Sequence, residues 1–190
     1  MTSNKLYSLI LASQSPRRKE LLGWIDIPFE ILSQDIEEVS ELTHTQEICE
    51  DIAKQKGIAV FDTLKSKNDY GKSYFPLVVS SDTMVCLGDK IYGKPKDVNG
   101  AREMLLELSG KSHEVITSVY ICFIDKQTGD FKESVFSGKT QVTFERIDED
   151  ILDIYLASGD SLDKAGSYGI QGQGLSFISK VEGSYSNVVG

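Results

Sequence analysis

Ser13-Gln14-Ser15-Pro16-Arg17-Arg18-Lys19 gathers three cations and two hydroxyls at one point of the chain. The run before it, Leu6 to Ala12, reads as a buried strand. Ser15-Pro16 then supplies a helix N-cap and a first helical residue. The free N–H groups and dipole of that first turn already make it positive. An isolated helix would favour Asp or Glu there, so Arg17, Arg18 and Lys19 make sense where a polyanion such as a phosphate chain completes the site. The bland alternative is a basic surface turn. Lys56 is the next position of interest. Ile48, Cys49, Ile52, Ala53, Ala59 and Val60 form an apolar stripe, and at about 100° per residue Lys56 falls in its middle while Lys54 points away. Such a lysine either snorkels at the edge of the core or reaches into a polar cleft.

Asp82 interrupts Val78-Val79-Ser80-Ser81-Asp82-Thr83-Met84-Val85, otherwise built as a central strand. Aspartate is poor in strands and costly to bury, and at a strand's functional end it serves as metal ligand or base. The alternative is an aspartate satisfied by serine or backbone donors. Glu37 and Glu38 lie in an acidic run with Asp35 and Glu41. Such a run is by itself a solvated face, and it gains meaning because a phosphate site needs a divalent cation and the cation needs carboxylates. Lys94-Pro95-Lys96 offers a further phosphate contact. Gly169-Ile170-Gln171-Gly172-Gln173-Gly174 permits close backbone approach but lacks Rossmann spacing. His44 and His113 are too isolated to build a Ser-His or His-metal centre.

These cations and two carboxylate sites point to a polyphosphate held around Mg2+ or Mn2+. The fitting chemistry is attack of activated water on phosphorus with an aspartate as base, without a covalent nucleophile. The Walker pattern GxxxxGK[ST] is absent.

The elements that must position these groups alternate strand and helix. Helices are expected from Ser15 through Gly23, about Thr45 to Phe61 (with Thr43 and Gln46 as a capping box), Val98 to Leu108 and Asp148 to Ala157. Strands are expected at residues 6–12, Phe29 to Leu32, Leu77 to Leu87, a short segment ending at Pro95, His113 to Ile124, Ser134 to Arg146 and Phe177 to Val181. Thr128-Gly129-Asp130 turns the long hairpin, and residues 62–76 read as a loop. The class is α/β with a mixed sheet, as one domain over residues 1–190.

Composition sets the outer bounds. The chain has 190 residues, 40% hydrophobic and 26% charged, which specifies a folded core. A net charge of −9 argues against nucleic-acid binding. No stretch approaches the roughly 20 apolar residues of a membrane span, and the N-terminus lacks a secretory pattern. Cys49, Cys86 and Cys122 are odd in number and widely spaced, so they read as reduced core thiols of a cytoplasmic protein.

Ser13 to Leu22, Ser81-Asp82-Thr83, Gly93-Lys94-Pro95, Leu108 to Val115, Leu162 to Gly172 and Glu182 to Gly190 together resemble the Maf family of nucleoside triphosphate pyrophosphatases. The motifs occur in order over nearly the whole chain. The resemblance implies a strongly curved mixed sheet flanked by helices, with two lobes around a cleft. It implies hydrolysis between the α and β phosphates of a nucleoside triphosphate with a divalent metal, and a homodimer. By residue, Asp82 is the implied proton acceptor and Glu38 helps Asp82 hold the metal. Ser13, Arg17, Arg18, Lys56 and Lys94 line the phosphate site. Arg17, Thr83 and Gln171 match the branch acting on dTTP and UTP, including modified uridine triphosphates; the Gln171 amide suits a pyrimidine edge bearing a carbonyl and an N–H. The branch acting on 7-methyl-GTP would carry Trp, Gln and Glu at those three positions. A non-catalytic nucleotide-binding regulator of cell division is the alternative of another class. Relatives usually continue past Gly190 with a terminal helix, expected to be absent here, and residues 62–76 look longer than the usual connection.

Overall fold

The computed structural model describes residues 7–66, 70 and 74–190. The chain divides into two compact units, one holding the chain up to Asp82 with Ser118–Ser137, the other Thr83–Thr117 with Gly138–Gly190. It passes from one to the other within three strands. These are β3 (Pro76–Leu87), β5 (Ser112–Ile124) and β6 (Phe131–Phe144).

In the first unit β1 (Ser8–Leu11) runs parallel to β2 (Phe29–Ile31) and to β3, with Leu9 opposite both Phe29 and Leu77. Parallel strands need crossovers, and α1 (Pro16–Gly23) and α2 (Thr45–Lys65) supply them. The core collects Ile10, Ala12, Ala53, Val60, Phe61, Leu64, Val78, Tyr120 and Cys122. Gly57 sets how closely α2 packs. A Cβ there would lie 2.6 Å from Ser80 Oγ and 2.6 Å from Tyr120 Cδ1, so no other residue permits this approach to β3 and β5.

The second unit holds β4 (Lys90–Tyr92), antiparallel to the end of β3, and β7 (Ile178–Glu182), antiparallel to the end of β6. It also holds α3 (Val98–Leu108), α4 (Glu149–Ala157) and α5 (Tyr185–Val189). Asp97 and Asp148 cap α3 and α4 through Gly100 N–H and Asp150 N–H. Its core is aromatic, with Phe144 edge-on to Tyr168 at 4.7 Å and Tyr155 edge-on to Phe177 at 5.0 Å between ring centres.

Strand order is β2-β1-β3-β5-β6-β7, with β4 on β3, so seven strands form one mixed sheet and the expected α/β class holds. Several boundaries differ from expectation. Helix α2 runs four residues beyond Phe61 to Lys65, because Phe61 and Leu64 continue its buried stripe. The Thr43–Gln46 capping box does not form. His44 is the N-cap without a side-chain bond, and the Gln46 amide donates instead to Glu50 at 2.9 Å. Residues 62–65 are therefore helical, Tyr70 and Tyr74 pair in a bridge, and residues 67–69 and 71–73 of the expected loop lie outside the described residues. Phe177 ends a 3-10 turn, so β7 starts one residue later than expected, and the short α5 had no sequence expectation. Among the described residues no helix is long and apolar enough to cross a membrane.

Candidate active site

The basic turn after β1 forms as its residue types dictate. Ser15 caps α1 by accepting from Arg18 N–H at 3.5 Å, and the buried Ser13 accepts from Ser15 N–H at 3.1 Å. This leaves Arg17 and Arg18 half-buried in the first turn. Arg18 Nη1 donates to the Ser81 carbonyl at 2.7 Å, which ties the cationic turn to β3 one residue before Asp82.

Lys56 reaches the same place from α2. Its Nζ lies 2.6 Å from Asp82 Oδ1 and 2.9 Å from Glu38 Oε1. The Lys56 and Asp82 side chains are only 17% and 10% exposed, against 53% for Glu38. Lys56 is thus paired inside the unit, and snorkelling is not its state. Burial pushes the Asp82 carboxyl above the usual carboxylate range, opposed first by Lys56 and then by Arg18. Burial also draws the Arg18 guanidinium below its ordinary value, with Asp82 pulling the other way. Desolvation of both signs of charge leads here, and such perturbed groups gather where chemistry is done.

Two neighbours of Asp82 carry signals that sequence reading missed. Cys49 Sγ donates to the Asp82 backbone carbonyl at 3.3 Å, and Ser80 Oγ donates to Ala53 O at 2.6 Å. Cys49, Ala53 and Lys56 share one face of α2 at spacings of four and three, so each meets the same stretch of β3. In the sequence the thiol reads as a reduced core residue; its place one helical turn before Ala53 and two before Lys56 is the clue that it shares their face. Ser81 Oγ is buried and has no hydrogen-bond partner among the described residues.

The structure therefore brings Arg18, Glu38, Lys56 and Asp82 together in the first unit, with Ser13 and Arg17 on the loop and turn that carry Arg18. Thr83, Lys94 and Gln171 belong to the second unit. There Thr83 Oγ1 lies 3.0 Å from Thr117 Oγ1, while Lys94 and Gln171 are exposed. Lys94 follows Gly93, whose carbonyl accepts from Gly166 N–H at 3.2 Å. The glycine-rich segment folds on itself, since a Cβ at Gly174 would sit 2.9 Å from Gly169 N. His113 is buried with Nε2 2.7 Å from the Tyr168 hydroxyl, and burial lowers its pKa to about 4, so it is a neutral core histidine.

Among the described residues no group of three or more His, Cys, Asp or Glu side chains gathers as a ready metal cage. Glu38 and Asp82 nevertheless converge on one cationic point from a loop and a strand, as the two distances to Lys56 Nζ record. One or two carboxylate ligands, with water and substrate phosphate completing the shell, is the donor set that Mg2+ uses beside phosphates. The pair fits such a cation. Overall, a desolvated carboxylate with its own lysine, an arginine and a helix N-terminus form an arrangement that can bind a polyanion and accept a proton.

Comparison with known proteins places the chain in a family. The family model described as Maf-like protein matches residues 8–190. A dTTP/UTP pyrophosphatase of Bacillus cytotoxicus is 41% identical over 95% of this chain and 87% of its own length. Proteins of the same name from Bacillus mycoides and Ruminiclostridium cellulolyticum are 43% and 40% identical, each over 96% of this chain and over 88% and 89% of their own lengths. With the family model spanning both units and every motif of the site inside it, the chain belongs to the Maf family.

Proposed function

We propose that this chain is a nucleoside triphosphate pyrophosphatase that converts dTTP and UTP, with modified uridine triphosphates, to the monophosphate and pyrophosphate. The observation that carries the reading is the buried Lys56–Asp82 pair at 2.6 Å with Arg18 anchored one residue away. The names of the relatives, dTTP/UTP pyrophosphatase, give the substrates.

In this reading Ser13, Arg17, Arg18 and the first turn of α1 hold the triphosphate, with Lys56 and Lys94 as further cations. Asp82 accepts the proton of the attacking water. The water oxygen bonds to the α phosphorus, the anhydride bond to the β phosphate breaks, and the bridging oxygen leaves with pyrophosphate. Lys56 opposes the rise that burial causes in the Asp82 carboxyl, which favours the carboxylate form a base needs. Glu38 and Asp82 would hold Mg2+ or Mn2+, which when bound neutralises phosphate charge and lowers the pKa of water. Gln171 presents both a donor and an acceptor to a pyrimidine edge, and Thr83 and Arg17 complete the selection. The setting is the cytoplasmic nucleotide pool.

The test is a panel of nucleoside triphosphates with Mg2+ or Mn2+, products resolved by chromatography. Pyrophosphate with dTMP or UMP is expected, and chelation of the metal should stop its release. Release of orthophosphate and a diphosphate would overturn the reaction. Turnover of 7-methyl-GTP alone would move the chain to another branch, and dTTP binding without turnover would make it a regulator.

A further inference from the structure

We propose that Cys49, supported by Ser118 and Ser137, is a positioning residue that holds the Asp82 peptide in register for catalysis; this rests on the function proposed above. The contacts form one chain within the first unit. The Cys49 thiol meets the Asp82 carbonyl at 3.3 Å. Ser118 interacts with the Cys49 sulfur, its backbone N–H being one of the groups that bear on the thiol. Ser118 Oγ lies 2.9 Å from Ser137 Oγ, and Ser137 Oγ donates to Glu50 Oε1 at 2.6 Å. The Gln46 amide donates to the same Glu50 oxygen at 2.9 Å.

One assignment of protons serves every link. Each hydroxyl or thiol has one proton to give. Ser137 spends its proton on the Glu50 carboxylate, so Ser118 is the donor between the two serines. The Ser118 N–H then serves the sulfur, and the thiol proton goes to the Asp82 carbonyl. Ser118 is thus a junction. Its hydroxyl looks toward a carboxylate on α2, and its amide toward the peptide that carries the proposed base.

The consequence is geometric. Asp82 is held through its carbonyl by Cys49 and through its carboxylate by Lys56, two contacts seven residues apart on α2. The sheet fixes the direction of β3, and these two contacts adjust the tilt of the Asp82 peptide and its side chain within the strand. Without the thiol, a buried carbonyl and a buried N–H each lose a contact, and the Asp82 peptide is expected to shift. Cys49 itself is completely buried, so it holds Asp82 without meeting a substrate.

The experiment compares wild type with C49A, C49S and S137A, using V60A as a core variant that shortens another buried side chain of the same unit. Steady-state pyrophosphate release from dTTP gives kcat and KM, and thermal unfolding gives stability. C49A should lower kcat about tenfold with KM within about twofold. C49S, which restores a donor, should recover most of that loss, and S137A should show a smaller drop than C49A. V60A should melt earlier with kcat intact. Wild-type kcat in C49A, or equal loss in C49A and C49S, overturns the proposal. Crystal structures of wild type and C49A decide it independently of turnover. Asp82 should move away from Lys56 in C49A, and an unmoved Asp82 overturns the positioning role even in an inactive protein. Wild type that releases no pyrophosphate would instead remove the functional reading alone.

Discussion

The two units differ in whether a carboxylate is buried together with its cation. In the first, the interior carries charge, with Asp82 on Lys56 and Arg18 beside it. In the second, the buried polar residues are His113, Thr117, Thr140, Ser161 and Ser167. Thr117 donates to the Asn187 carbonyl at 2.7 Å, and the Asn187 amide donates to the Val115 carbonyl and to Thr140 Oγ1 at 2.9 and 3.0 Å. A neutral network of this kind fixes the C-terminal segment at small desolvation cost. A buried ion pair is a poor way to gain stability, because well-packed apolar residues do as well or better. The second unit keeps a buried lysine too, Lys164 at 11% side-chain exposure, but its partners Asp160 and Asp163 are 34% and 58% exposed, whereas Asp82 is 10% exposed beside Lys56. A carboxylate desolvated with its cation therefore speaks for chemistry in the first unit, and the Asn187 network speaks for holding shape in the second.

The largest test of that contrast is Asp82→Asn. The amide keeps the size of the carboxylate but cannot take a proton, so kcat should fall about a thousandfold while dTTP still binds. Pyrophosphate release and equilibrium nucleotide binding check the two halves, and full activity would remove Asp82 as the base. Lys56→Met comes next. It keeps much of the side-chain volume and leaves Asp82 without its closest countercharge, so kcat/KM should fall about a hundredfold. A variant with wild-type kcat/KM would mean that the pair is structural after all.

His113 sharpens the comparison from the other unit. Burial holds its pKa at about 4 against the ordinary 6.5. Below pH 6.5 the unfolded chain takes up a proton that the folded unit refuses until about pH 4. Stability from this group is intact above pH 6.5 and is lost as pH falls through that window, on the order of 3 kcal/mol in all. Urea midpoints between pH 7.5 and 4.5 should drop in wild type and drop less in His113→Phe. Asp82 runs the other way. Its carboxyl is raised by burial, so its contribution is present at low pH and fades as pH rises through the raised value.

What could be seen in the sequence divides along the same line. The charged centre was legible because Arg18, Lys56 and Asp82 each violate a local rule: cations in a helix first turn, a lysine in an apolar stripe, an aspartate in a central strand. Local violations are visible in a linear string. The α/β class and most element cores were also legible from periodicity. The Cys49–Ser118–Ser137 chain was not, since cysteine and serine violate nothing in a helix or strand and their partners lie 69 and 19 residues away. The end of α2 was missed for a related reason. Asp62, Thr63 and Lys65 look like loop residues until Phe61 and Leu64 are seen facing the core.

Gly57→Ala should have a smaller effect on stability, and it tests how the charged unit is closed. A helical alanine gains up to about 1 kcal/mol in propensity. Against this, its methyl would meet Ser80 Oγ and the Tyr120 ring at 2.6 Å, and overpacking of this kind costs about 1–3 kcal/mol. The net is a modest loss, measurable by denaturant unfolding. Because Ser80 and Asp82 face the same helix, kcat should fall with it; a more stable and fully active variant would show that α2 has slack.

The smallest effect is expected from Lys54→Ala, and its smallness is the point. Lys54 lies on the same helix as Lys56, two residues earlier, and it too meets a carboxylate, Glu133 Oε1 at 2.8 Å. The pairs differ in solvent. The Lys54 and Glu133 side chains are 48% and 39% exposed, so water screens their attraction and solvates either charge left alone. Removing Lys54 should change stability by less than about 1 kcal/mol and leave kcat where it was. Parallel unfolding and pyrophosphate-release measurements on Lys54→Ala and Lys56→Met would then separate two lysines of equal charge and similar partner distance by burial alone. Equal losses in the two variants would mean that proximity to a carboxylate, and not desolvation around Asp82, is what sets the weight of a cation in this unit.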